Sequence, residues 1–500
     1  MKKKQLRWTL WTIASPFILF IILCILIYLP PIQNFLVDKA AVYASEATGM
    51  NISVGRISLS FPLNLVVTDV DAASPHKDTL LSVRRLQVNV QLLPLLKKQV
   101  EVDGISLQGA TVNSNDLIHG MRLNGTLGEL FISSHGVALD PETAIVNKVL
   151  LKDTDLSLCL NDTAAADTAA SDTTYWKIIL QDIDLQNVSF ALDMPLDSLS
   201  LAASLDNATL RDGLIDLHKS AYSLQTFRIK NGRVRYDSGR PSATASADSL
   251  SAGLDPSHIA LTDIGVKLDS LYYEGRNMKA IISQFVLKER SGVEIVSTEG
   301  RLVSNDKVLR VPSLKLETRD SYLELNAAMD WDALDFKKEG LVSARLMADI
   351  GKPDVVRFMG SMDEKFIRKY PSEPLRIRTG IDGDLNKLKL TTLTAELPGA
   401  LELFAKGELT SLTDSLLRGG DITLQAETKD LKFISTLAEG IEIPYGTRLE
   451  GKFTMAGPKM GTDLLLMQPE AHAVAAADTI PITVYNLSLI HISEPTRLAL

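Results

Sequence analysis

The stretch Asn51–Val70, NISVGRISLSFPLNLVVTDV, decides the fold class. Ile52 and Val54, then Ile57, Leu59 and Phe61, alternate with polar neighbours. Period-two alternation gives a strand one apolar and one wet face. The texture continues in LSVRRLQVNVQLL, through Leu86, Val88, Val90 and Leu92, and then through Val100, Val102, Ile105 and Leu107. It returns at Leu156, Leu158 and Leu160, and again at Val188, Phe190 and Leu192. Farther on it marks Leu314 and Leu316, Leu323 and Leu325, Leu388 and Leu390, Leu401 and Leu403, and the run from Ile422. Gly, Asn and Asp between these runs predict antiparallel meanders. Helical patterning is confined to Leu431–Gly440 and to Lys352–Tyr370, the latter broken near Gly360.

Upstream of this body the chain changes character. Lys2, Lys3, Lys4 and Arg7 precede an uncharged run from Trp8 to Leu29. A helix of that length spans roughly 30 Å, a bilayer core. Trp8, Trp11 and Tyr28 fall near its ends, where amphipathic rings prefer the interface. The basic residues lie before the span, so the N-terminus is expected in the cytoplasm and the body across the membrane. The run is longer than a cleaved signal core and leads into Pro30 and Pro31. Ile32, Phe35, Leu36, Ala40 and Tyr43 then follow helical spacing, which predicts a short amphipathic helix.

The expected organisation is a cytoplasmic stub and transmembrane anchor (1–30), an amphipathic helix (31–50) and a β region (51–160). A polar loop (161–174), a second β region (175–486) and a tail (487–500) follow. The loop reads NDTAAADTAASDTT and has no large apolar residue. It is expected to be a solvated hairpin loop. Its two Asp-Thr-Ala triplets match an O-glycosylation acceptor pattern of one group of Gram-negative bacteria. The tail opens with LSLIHISEPTR, Leu487–Arg497, which reads as a translated sequencing adapter. On that reading the tail is non-native and the native protein is longer.

Composition narrows the function. The formal net charge is −9, which argues against a nucleic-acid role, since phosphate binding needs a concentrated basic footprint. Cys24 and Cys159 fall in different phases, so no disulfide is expected. The seven histidines lack metal-ligand spacing, and no nucleotide loop or nucleophile elbow is present. The pairs Asp153/Asp155 and Asp182/Asp184 read as solvated strand faces. No catalytic residue, cofactor or metal is expected. What remains is the apolar face of each strand, which must be hidden in a sandwich, in a barrel, or in a curled sheet that holds something else.

The order of pieces over Met1–Val112 resembles the start of AsmA-like proteins, the TamB branch in particular. The pieces are an uncleaved anchor, a helix ending at Thr48-Gly49, a strand through Val54-Gly55-Arg56-Ile57, a Phe61-Pro62 break, and an Ile-x-Leu-x-Gly-x-x-Val unit at Ile105–Val112. The likeness continues diffusely to about Tyr485. The resemblance implies an inner-membrane anchor and a periplasmic, elongated, curled antiparallel β-sheet with an apolar groove. It also implies phospholipid transport towards the outer membrane. The TamB branch adds an alternative, assembly of outer-membrane proteins with a barrel partner of the TamA type. A passive periplasmic scaffold is the third expectation. The groove candidates are Leu156, Leu158, Leu160, Val188, Phe190, Leu192, Leu314, Leu316, Leu323, Leu325, Leu388, Leu390, Leu401 and Leu403.

Overall fold

The computed structural model describes residues 49–60, 64–74, 79–91, 102–114, 120–138, 142–161, 175–239, 253–335, 338, 340–358, 364–412, 416–434, 446–457 and 459–467, with five positions between 39 and 46. The expected transmembrane span, most of the amphipathic helix, the loop at 162–174 and the tail lie outside the described residues. Among the described residues no helix is long and apolar enough to cross a membrane.

The chain is mainly β, and it divides into two compact units. The first comprises residues up to Ala245 together with Pro256–Glu274, and the second comprises Ser246–Asp255 and the chain from Gly275. The strands on both sides of the 161–174 segment belong to the first unit.

The first unit is a single sheet. β1 (Asn51–Ser60), β2 (Asn64–Ala73), β3 (Thr79–Val90), β4 (Val102–Asn113), β5 (Met121–Ala138) and β6 (Thr143–Leu160) pair in chain order, each antiparallel to the last. β7 (Lys177–Met194) and β8 (Leu199–Asp216) continue the order. β9 (Ala221–Leu224) and β10 (Thr226–Ser238) lie end to end between β8 and β11 (His258–Glu274), interrupted at Gln225. Each strand contacts its ladder neighbours along the sheet.

One pair departs from the expected antiparallel order. β6 and β7 run parallel, from Thr143 opposite Lys177 to Cys159 opposite Asp193. The segment between them is therefore no hairpin. Parallel neighbours need a crossover of about a dozen residues or more, and the long polar stretch supplies that length. Polar composition reveals that a segment is a connection, but not which way the next strand runs.

The second unit is an antiparallel meander. Its strands are β12 (Asn277–Glu289), β13 (Glu294–Ser304), β14 (Val308–Thr318), β15 (Ser321–Asp330), β16 (Val342–Ile350), β17 (Leu375–Gly383), β18 (Lys387–Leu397), β19 (Leu401–Thr410), β20 (Gly419–Thr428), β21 (Arg448–Ala456) and β22 (Lys459–Met467). Each pairs with the next. Two short helices, α1 (Lys352–Phe358) and α2 (Glu364–Lys369), join β16 to β17. Of the segment from Leu431, the described residues to Ile434 form turns.

The helices cover one corner of this sheet. Phe366, Tyr370, Leu397, Ala400, Leu431 and Phe433 form a buried cluster, with Val355, Leu375, Leu401 and Ile434 packed on it. The rings of Phe366, Tyr370 and Phe433 meet at centroid distances of 5.6, 5.7 and 5.2 Å. The 1 % exposed Asp354 of α1 is held from three sides. The Thr318 and Ser321 hydroxyls donate to its Oδ2, Ser321 at 2.6 Å, and Arg357 donates to Oδ1 at 3.0 Å.

Candidate functional site

In the first unit the apolar alternation of every long strand skips a beat at a shared place. β1 runs Ile52, Val54, then Ile57, Leu59, with Gly55 and Arg56 both exposed between them. β2 steps from Val67 to Val70, β3 from Val83 to Leu86, β6 from Leu151 to Thr154 and β7 from Leu185 to Val188. Register shows that these slips are one feature. Across nine strand positions the residues Gly55, Asp69, Arg84, Gly109, Gly128, Asp153, Asn187, Asp206 and Asn231 face each other in a row where ladder pairing is interrupted.

Backbone geometry explains how two successive residues can face the same way. Asp69, Asp153, Asn187 and Asn231 have φ of 53°, 49°, 52° and 55°, and Gly109 has 62°. These residue types tolerate the left-handed region best. Strands lacking such a residue approach closely instead. A Cβ on Gly55 would stand 2.9 Å from that of Asp69, and one on Gly128 2.8 Å from that of Asp153. The row is also stitched by side chains. Asn187 Nδ2 donates to Asp153 Oδ1 at 2.9 Å, and Asn231 Nδ2 donates to Asp206 Oδ2.

A second slip row runs alongside the first on the longer strands. β6 steps from Val146 to Val149, and β7 from Leu180 to Ile183. Asn147, Gln181 and Asp212 mark it, with Asp212 at φ 50° and Asn147 Nδ2 donating to Gln181 Oε1 at 3.1 Å. The break between β9 and β10 at Gln225 continues it.

Beside the first slip row, and between the two rows on β6, β7 and β8, lies a strip two residues wide. Its first file is Ile57, Val67, Leu86, Leu107, Leu130, Leu151, Leu185, Ala208, Ile229 and Val266. Its second is Leu59, Leu65, Val88, Ile105, Ile132, Val149, Ile183, Leu210, Phe227 and Leu268. Every position is apolar, so across ten strands the strip offers no side-chain hydrogen-bond partner. Nine strand spacings make it about 43 Å long.

The candidates from β6 and β7 share this face but lie beyond the first slip row. Leu156 is opposite Phe190 and Leu158 opposite Leu192, while Val188 faces Thr154 and Leu160 ends β6. Phe190 also lines a cavity of about 370 Å³ with Ala203, Val234 and Leu261, its partners along one row. The strip itself was not singled out from sequence, although Val149-Leu150-Leu151 and Ile183-Asp184-Leu185 carry its signal.

In the second unit the eight candidates share one face. Leu316, Leu323 and Leu403 belong to one row, which runs on through Ala348, Ile377, Ala395, Ala426 and Leu449. Leu314 and Leu325 belong to the next. Leu388 and Leu390 fall beyond a bulge at Thr391. Leu401 packs against the helix-covered cluster. The opposite face carries ion pairs such as Arg378–Asp349 at 2.7 Å, Lys452–Asp421 at 2.9 Å and Lys387–Glu408 at 3.0 Å.

Charged groups that could suggest chemistry have structural partners. Arg211 bonds both Asp182 and Asp184 across β7 and β8. Among the described residues no group of His, Cys, Asp and Glu is arranged to hold a metal. No family model, curated protein or solved structure matches the chain.

Proposed function

We propose that the chain is an inner-membrane-anchored periplasmic conduit that carries phospholipid towards the outer membrane along its apolar sheet face. The observation that supports this most is the uninterrupted apolar strip of the first unit. A hydrocarbon chain crossing water exposes methylenes at about 0.8 kcal/mol each, and a strip of this length offsets that cost along the way.

The strip also bears on the alternative, an assembly factor for outer-membrane proteins with a TamA-type barrel partner. An extended polypeptide brings an N–H and a C=O per residue that need partners. The backbone groups of the strip are committed to its own ladder, and its side chains offer none. The occupant that fits is one without polar groups along its length, which favours acyl chains over a nascent strand.

The test is transport. Aspartate in place of Leu158, Phe190 or Leu316 puts a charge on the apolar face and is expected to abolish phospholipid movement between the two membranes while the protein remains folded. The purified wild-type chain is expected to carry co-purifying phospholipid. Unchanged transport in all three variants, or wild-type protein free of lipid, would overturn the reading.

A further inference from the structure

We infer that the two slip rows of the first unit are fold lines, which bend the strands that carry them towards their apolar face and make the strip beside the first row, enclosed by both on β6, β7 and β8, the floor of a trough. The inference deepens the conduit reading and rests on it for its purpose, but its geometry can be tested without lipid.

At each slip, two consecutive residues face the polar side while the flanking apolar residues stay on the other. Lys152 and Asp153, or Gln186 and Asn187, are such pairs. The polar face therefore carries more residues along the strand than the apolar face. A sheet with one longer face bends away from it, as strands do at bulges. In an ordinary sheet bulges are scattered. Here the slips stand in register, so the bends add into a line running across the strands.

Burial agrees with the direction of the bend. Val83, Ala110 and Thr154 are 7, 8 and 3 % exposed, and Ala208 is 2 % exposed. All four flank the first slip row on the apolar side, the inside corner of the proposed bend. Asp153, Asn187 and Asp212 are then positioning residues. They touch no ligand and set the angle between floor and walls.

The experiment is a pair of spin labels on the polar face of β7, Lys177→Cys and Asp193→Cys, in the full-length chain with Cys24 and Cys159 replaced by serine. A straight strand separates the two by about 53 Å. Two bends shorten that by about 10 Å or more, and this shorter distance is expected in detergent with or without lipid. Asn187→Gly, which keeps the left-handed backbone accessible, is expected to preserve the distance. Asn187→Val is expected to lengthen or broaden it. A straight-strand distance in the otherwise native protein, or identical distributions for the glycine and valine variants, would overturn the inference whatever the lipid result. A bent strand in a protein that carries no lipid would leave the fold lines standing and remove the conduit reading.

Discussion

Asp153 adopts a backbone conformation that costs a non-glycine residue roughly 1–2 kcal/mol, and its φ of 49° is matched by Asn187 beside it at 52°. Aspartate and asparagine lower that cost through short polar side chains, and here the two bond each other at 2.9 Å. Asp153→Gly is expected to leave the urea midpoint near that of the unaltered chain. Asp153→Val is expected to lower stability by about 1–3 kcal/mol, because a β-branched residue resists this region. Equal midpoints for the two variants would contradict a left-handed residue at this position. The residue types were legible in the sequence, and so was the three-residue step from Val54 to Ile57. That the steps align was not legible, because alignment is a property of register, and each strand read alone reveals only its own phase.

At the scale of the element, the helix-covered corner of the second unit makes two further predictions. Burial raises the Tyr370 phenol above its ordinary value near 10. Below pH 10 the folded and unfolded chains both hold this proton, and the contribution of the residue is complete. Above pH 10 the unfolded chain loses the proton first, so stability falls as pH rises through the folded value. Tyr370→Phe is expected to flatten that part of the profile, measured as the difference between the two proteins in thermal melts from pH 9 to 11. Parallel profiles would count against a buried phenol. Asp354→Ala leaves two hydroxyls without their acceptor at a nearly closed site, while Arg357 keeps Asp320 at 2.9 Å, and a loss of about 1–3 kcal/mol is expected in chemical denaturation. A loss under about 1 kcal/mol would mean that the carboxylate is dispensable. That Lys352–Tyr370 holds two short helices was readable from the sequence. The parallel pairing of β6 and β7 was not, because strand direction depends on where a connection returns, and a polar loop does not encode that.

At the scale of the whole chain, the two units meet the same requirement by different means. The first carries aligned slips in every long strand and a floor without a polar side chain. The second carries isolated bulges, as at Thr391, and helices over one corner. In each unit the residues singled out from the sequence share one face of the sheet. From the first unit it selected Leu156, Leu158, Val188, Phe190 and Leu192, which flank the strip, and missed Leu151 and Leu185 within it. The reason is physical. A floor residue and a wall residue have the same composition and the same local period, and only their distance from the slip row separates them.

The most direct test of the central claim is photocrosslinking in living cells grown on radiolabelled phosphate. A photoreactive phenylalanine analogue is placed at Leu185, on the strip, or at its neighbour Gln186, on the opposite face. A labelled phospholipid adduct is expected at position 185 and none at 186. Adducts of equal strength at both positions, or a polypeptide adduct in place of lipid at 185, would contradict that claim.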